Sequence, residues 1–170
     1  WGGNLDWWGI PETPCTDGVP NGYSEVTFSG NSYSIEFVPV RYPRSFQMDI
    51  WVPSPMQVDQ AAGAPVYVNV FLGSSRSTVE MQVDDGEWVA LERTPEPTEE
   101  DVALFTECRQ KALSGVNRAD EREFDWPVKS SHLWKGALPD GLGPGYHTVN
   151  VRTTDMFGHT YSAQRTFEVR

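Results

Sequence analysis

The three histidines are the side chains best suited to metal binding or proton transfer, and their spacing decides which role they can take. His159 follows Gly158, as in a Gly-His-x-His metal motif, but this chain has Tyr161 where that motif needs its second imidazole. His132 and His147 have no second histidine or carboxylate at the spacing that metal ligands use. We therefore predict that His159 is a turn residue and that His132 is a hydrogen-bonded strand residue.

Other short motifs that carry enzyme chemistry are absent from the sequence. It contains no Gly-x-Ser-x-Gly nucleophile turn, and neither a phosphate-binding loop nor a dinucleotide-binding glycine motif. The neighbouring acids Asp84 and Asp85 are explained by a turn, and Glu99 and Glu100 by a helix start. Acid–base catalysis needs a carboxyl group whose pKa is raised by apolar surroundings, and no acid lies in such a stretch. The sequence predicts no catalytic residue in this chain.

Tryptophans are the remaining candidates for a binding function, because a flat indole ring can stack on the face of a sugar. The alternative is that a tryptophan in a loop closes the end of a β-sandwich, and the sequence leaves both interpretations open. Trp88 is set aside because a predicted hairpin accounts for it. The candidate residues for a ligand or interdomain contact are Trp1, Trp7, Trp8, Trp51, Trp126 and Trp134.

Alternating apolar and polar residues dominate the chain and predict β-strands that position these side chains. The run at 66–72 is apolar on both faces, as in a strand buried on both sides. Ser29-Gly30-Asn31 predicts a hairpin between strands at about 23–28 and 32–38. Asp85-Gly86 predicts a second hairpin, with a two-residue turn that places Val83 opposite Trp88.

One helix is predicted at about residues 98–113. Thr98 is a good N-cap, and the acids that follow it favour the helix N-terminus. Cys108 lies on the apolar stripe of this helix, and a disulfide between Cys15 and Cys108 stays open. With about nine strands, the predicted fold is mainly β, an immunoglobulin-like antiparallel β-sandwich with one inserted helix.

Charge excludes one broad class of function. The 170 residues carry a formal net charge of −11 with only 13 Lys and Arg, whereas nucleic-acid binding requires clustered cations that neutralise phosphates. No apolar run approaches the roughly 20 residues that span a bilayer. We therefore expect no nucleic-acid partner and no membrane span.

Six motifs in one order carry a resemblance to a known family. They are Asp17-Gly-Val-Pro-Asn-Gly-Tyr23, Phe46-Gln-Met-Asp-Ile-Trp51, Val68-Asn-Val-Phe71, Asp85-Gly-Glu-Trp88, His132-Leu-Trp134 and Thr154-Asp-Met-Phe-Gly158. Together they resemble the C-terminal domain of bacterial calcineurin-like metallophosphoesterases, over about residues 7–170. The resemblance implies a two-metal catalytic domain elsewhere in the same polypeptide, and none of that domain's ligand motifs matches this chain. It also implies an exported protein, periplasmic or extracellular.

The expected function is therefore that of a non-catalytic accessory domain that binds no cofactor itself. Its partner would be the catalytic domain of the same polypeptide, a metal-dependent phosphoester hydrolase with two divalent metal ions. We expect residues 1–22 to be an irregular segment leading from that domain and 23–170 to be the β-sandwich. The absence of an initiator methionine before Trp1 fits this interpretation. The alternative is a carbohydrate-binding or surface-adhesion module that uses exposed tryptophans and takes a glycan as its partner.

Overall fold

The structure is a computed structural model that describes Cys15 and residues 17–94 and 129–170. Several sequence-based expectations lie outside the described residues. They are the helix at 98–113, the Cys15–Cys108 disulfide, and the positions of Trp1, Trp7, Trp8 and Trp126. The proposed boundary between 1–22 and 23–170 stays a prediction.

Ten strands and one short helix form the described part of the chain. In order they are β1 (Gly22–Ser29), β2 (Ser32–Pro39), β3 (Met48–Trp51), α1 (Val58–Ala61), β4 (Pro65–Val70), β5 (Thr78–Val83), β6 (Val89–Ala90), β7 (Glu92–Arg93), β8 (Leu133–Ala137), β9 (Gly145–Thr154) and β10 (Thr160–Val169). The chain divides into two compact units, Trp1–Gln47 with Glu96–Ser130, and Met48–Pro95 with Ser131–Arg170.

The first unit contains an antiparallel hairpin of β1 and β2. Its turn lies where Ser29-Gly30-Asn31 predicts it, and Gly30 has a φ of 59°, which a residue without a Cβ adopts at little cost. The Ser32 hydroxyl donates to the Ser29 carbonyl oxygen at 2.7 Å. This predicted hairpin is confirmed.

The second unit is a β-sandwich of two four-stranded antiparallel sheets. Their strand orders are β10-β9-β5-β6 and β3-β4-β8-β7. Both sheets contribute alternate residues to one hydrophobic core, as expected of strands with one face inward. In β4 every residue from Val66 to Val70 is buried, so the prediction of a strand buried on both faces is confirmed. The prediction of a mainly β antiparallel sandwich is confirmed as well.

The immunoglobulin-like assignment stays a prediction, and the strand order is compatible with it. With letters A, B, C, C′, D, E, F and G given to β3 through β10 in chain order, the sheets are A-B-E-D and G-F-C-C′. Immunoglobulin constant-type domains have sheets A-B-E-D and C-F-G. The difference is the two-residue strand β6 at one edge.

The predicted register of the β5–β6 hairpin is wrong. The observed pairs are Glu80 with Ala90 and Met81 with Val89. If this register is continued, Trp88 lies opposite Gln82, whose side chain faces outward. The predicted register places Trp88 opposite Val83, whose side chain faces the core. A slip of one residue moves every side chain of a strand to the opposite face.

The register differs because Asp84 contacts β9, a strand that is distant in sequence. Asp84, not Gly86, takes the positive φ, at 49°. Its amide donates to the carbonyl oxygen of Thr148 at 2.9 Å, and its carboxylate accepts from the Thr148 amide at 2.8 Å. Thr148 of β9 is thus hydrogen-bonded to both the amide and the carboxylate of Asp84. Because of these bonds, Asp84 belongs to the turn and does not pair with Glu87.

Candidate functional site

A histidine–carboxylate pair joins the turn after β5 to β9. His147 Nδ1 lies 2.7 Å from Asp84 Oδ2, and its Nε2 lies 2.9 Å from the carbonyl oxygen of Gly143. A neutral imidazole has one N–H, whereas the imidazolium has two and can donate to both acceptors. The Phe167 ring lies beside the imidazole, with ring centroids 5.5 Å apart. Both nitrogens of His147 are therefore used within the fold.

The contacts of this pair shift both pKa values towards the charged forms. The hydrogen bond to Asp84 and then that to Gly143 raise the pKa of His147, against the opposing effect of burial. For Asp84, burial acts to raise the pKa, but the hydrogen bonds from His147 and Thr148 outweigh it and lower the pKa overall. The pair therefore holds the turn after β5 against β9, and its contacts favour the charged forms of both groups.

Replacing His147 by glutamine is expected to lower the free energy of unfolding by about 1 kcal/mol at pH 5 and by less at pH 9. A raised pKa means that the histidine's contribution is complete below its ordinary value of 6.5 and is lost as the pH rises through the higher folded-state value. Asp84 contributes above its ordinary value of 3.8, and that contribution is lost as the pH falls through its lowered folded-state pKa. Urea unfolding of both proteins from pH 5 to 9 measures the difference.

A suitable control for this experiment is Glu80→Gln. Glu80 pairs with Arg152 at 2.8 Å across β5 and β9, and its pKa is lowered from 4.5. Its effect on stability should therefore be constant between pH 6 and 9. An effect of His147→Gln that does not shrink at high pH would show that the imidazole is not held as a cation.

The other two histidines also bond within the second unit. His159 Nδ1 lies 2.9 Å from Asp155 Oδ2 in the β9–β10 turn, and Asp155 Oδ1 accepts from the His159 amide at 2.8 Å. The prediction of a turn histidine is confirmed. His132 is buried with Nδ1 2.6 Å from Asn69 Oδ1, so the predicted hydrogen bonding is confirmed. The predicted strand position is wrong by one residue, because His132 lies in the turn just before β8.

The described part of the chain has neither a cluster of metal ligands nor a membrane-spanning helix. Among Cys15, 17–94 and 129–170, no three His, Cys, Asp or Glu side chains are grouped as metal ligands. In the same part of the chain no helix is both long and apolar enough to cross a bilayer. The three described histidines instead lie in hydrogen-bonded pairs with Asn69, Asp84 and Asp155.

The structure separates the tryptophans that it describes. Trp134 is 2% exposed and belongs to the sandwich core, so we assign it to packing. Trp51 is half-buried on β3, and its ring centroid lies 5.4 Å from that of Tyr67. Since Met48 and Ile50 point into the core, Trp51 is on the outward face of its sheet.

Trp88 is an outward-facing tryptophan that sequence reasoning missed. The Arg152 guanidinium lies over its ring, 4.3 Å from the centroid, and Glu80 holds the Arg152 side chain. Trp88 and Trp51 are on the outward faces of opposite sheets, so they cannot form one ligand platform. The glycan partner stays a prediction. A correct register for the β5–β6 hairpin would have placed Trp88 on the outward face.

Comparison with known proteins assigns this β-sandwich and its preceding hairpin to a family. Residues 1–161 match the model of the family described as the C terminal of calcineurin-like phosphoesterase, a span that includes β1 to β9 and the first two residues of β10. The comparison with curated proteins gave no match. The family expected from six sequence motifs is thus confirmed, and the chain belongs to the family of C-terminal domains of calcineurin-like phosphoesterases.

Proposed function

We propose that this chain is a non-catalytic accessory domain that packs against the catalytic domain of its own polypeptide and shapes the access of substrate to it. The observation that carries the proposal is the family match over residues 1–161 as a C-terminal part. The catalytic domain would be a metal-dependent phosphoester hydrolase. A periplasmic or extracellular location is part of the proposal and rests on the resemblance.

The chemistry of the described histidines supports a structural role for this domain. Two-metal phosphoester hydrolysis uses a cluster of ligands that holds two cations about 3.5–4 Å apart. Here each histidine instead bonds to a side chain of its own unit: His132 to Asn69, His147 to Asp84 and His159 to Asp155. These contacts fasten turns and strands. The two divalent ions would lie in the catalytic domain.

The isolated chain is expected to hydrolyse bis(p-nitrophenyl) phosphate no faster than a blank that contains only Mn²⁺ or Zn²⁺. The reason is that the groups needed to hold and activate the metal-bound nucleophile would belong to another domain. Release of p-nitrophenol measures the rate, and the polypeptide with both domains is the positive control. Metal-dependent turnover by the isolated chain would contradict the non-catalytic assignment.

The same assay, applied to the two-domain polypeptide, tests whether this domain affects the access of substrate to the catalytic domain. A domain that shapes access should change kcat/KM for a bulky phosphodiester more than for p-nitrophenyl phosphate when it is deleted from the two-domain polypeptide. Equal changes for both substrates would indicate loss of folding of the catalytic domain. No change for either substrate would contradict a role in substrate access.

A further inference from the structure

The β1–β2 hairpin has one apolar face whose residues near the turn are exposed to solvent. Val26 pairs with Ile35 and Phe28 with Tyr33, and directly opposed residues point to the same side of a sheet. We call these four residues the hairpin apolar face. Val26 is 47% exposed, Phe28 76% and Tyr33 54%, and the Phe28 and Tyr33 ring centroids lie 6.5 Å apart.

The opposite face of the same hairpin carries two carboxylates that share one cation. Glu25 and Glu36 face each other across the strands, an arrangement that is unfavourable unless a cation intervenes. Arg44 supplies the cation: its Nη2 lies 2.7 Å from Glu36 Oε2 and also contacts Glu25. These hydrogen bonds raise the pKa of Arg44. Both carboxylates of this face thus have a cation partner, whereas Val26, Phe28 and Tyr33 on the apolar face are exposed.

On this face the side chains are buried at the base of the hairpin and exposed near its turn. Phe37, at the base of the same face, is fully buried, whereas Phe28 and Tyr33 next to the turn are exposed. Single exposed apolar residues are normal on a protein surface, but contiguous ones mark interaction sites. A two-stranded hairpin is also marginal in water without packing on one face. The tip is therefore a surface that association would stabilise.

We propose that the hairpin apolar face is the docking surface for the catalytic domain of the same polypeptide. This inference rests on the proposed function. It adds that the hairpin apolar face is the part of the domain that contacts the catalytic domain. Because the family is a C-terminal one, the catalytic domain precedes this domain along the chain. β1 is the first described strand after that junction.

The size of the face favours a tethered partner over a separate one. The hairpin apolar face extends from Val26 to Phe28 on β1 and from Tyr33 to Ile35 on β2, so it is about 10 Å wide and about 10 Å long, roughly 100 Å². Stable complexes between separate proteins bury about 800 Å² per partner, so this face alone is too small to hold a second copy. A covalently linked domain has an effective concentration in the millimolar range, and a small apolar contact then suffices.

Hydroxyl-radical footprinting tests this assignment on the isolated chain and on the polypeptide that contains both domains. The oxidation rates of Phe28 and Tyr33 are expected to fall severalfold in the two-domain polypeptide. Tyr146 is the matched control, because it is 77% exposed on β9 and lies outside the hairpin. Its rate should be unchanged.

Two variants of the two-domain polypeptide sharpen the test. Phe28→Ser should return the oxidation rate of Tyr33 to its value in the isolated chain, since it removes the most exposed apolar group of the face. Tyr146→Ser should leave Tyr33 protected. Both positions are exposed, so neither substitution is expected to unfold the domain.

The outcomes distinguish this inference from the function on which it rests. Protection elsewhere in the domain, with Phe28 and Tyr33 still reactive, would overturn the hairpin assignment and leave packing against the catalytic domain intact. No protection anywhere in the domain would contradict both. Protection in the isolated chain that increases with protein concentration would identify a second copy as the occupant and overturn the inference.

Discussion

Replacing Trp134 by alanine is expected to lower the free energy of unfolding by about 3–5 kcal/mol, the cost typical of deleting a large aromatic side chain from a core. Trp134 is 2% exposed and lies opposite Val68 in the β4–β8 pair, within the core that both sheets share. Domains of this size are stable by about 5–15 kcal/mol, so the variant would lose a large part of its stability. Urea unfolding followed by far-UV circular dichroism measures the loss.

The matched control for Trp134 is Trp51→Ala, because both residues lie in the same sheet and face opposite ways. Trp51 is half-buried, and its main described contact is the Tyr67 ring at 5.4 Å. Loss of such an aromatic pair costs about 0.5–1.5 kcal/mol beyond the area that it buries. If Trp134→Ala were no more destabilising than Trp51→Ala, the assignment of Trp134 to the core would be wrong.

This comparison also bears on how tryptophans are interpreted from sequence. Both residues occur in short apolar stretches, so composition cannot separate a core indole from an outward one. The even-numbered alternation from Phe46 to Val52 does place Trp51 opposite Met48 and Ile50. Local patterns therefore assign the face of a residue within its strand, but the neighbouring elements decide whether that face is covered.

Strand existence was accessible from sequence because alternation is a local property. The apolar run that contains β4, the β1–β2 turn at Gly30 and the β9–β10 turn at Gly158 all lie where their residue types indicate. In each case the signal spans only a few consecutive residues. Such signals do not depend on which strands later become neighbours.

The His147–Asp84 pair was not accessible, because it depends on the pairing of β5 with β9. Asp84 reads locally as part of an Asp-Asp-Gly turn, and nothing nearby in the sequence indicates an imidazole partner. The same long-range contact fixes the turn and reverses the face of Trp88. One non-local pairing thus accounts for both the missed pair and the wrong register.

The hairpin apolar face shows the complementary limit. Tyr33, Ile35 and Phe37 alternate as a core strand would, yet only Phe37 is fully buried. Sequence periodicity predicts which side chains share a face, whereas their burial depends on a partner surface. If the proposed docking surface is correct, the shared face without burial at Phe28 and Tyr33 marks the contact with the catalytic domain.

Gly73→Ala is expected to destabilise the sandwich by about 1–3 kcal/mol, the usual cost of forcing an extra carbon into a packed site. A Cβ at Gly73 would lie 2.5 Å from Trp134 Cη2 and 3.0 Å from the carbonyl oxygen of Val70. The indole ring is rigid and tightly enclosed, so it cannot move aside cheaply. Urea unfolding of the variant against the unchanged protein measures the effect.

Gly143→Ala is the control for this substitution, because a Cβ there meets nothing within 4 Å. Both changes reduce the entropy of the unfolded chain in the same way, a stabilising effect of about 0.4–1 kcal/mol, so their difference isolates the clash. A double-mutant cycle with Trp134→Ala should give a coupling above about 0.5 kcal/mol, as expected of residues in contact. Equal effects of Gly73→Ala and Gly143→Ala would show that the Trp134 ring does not pack against Gly73, and that the core closes around this indole differently.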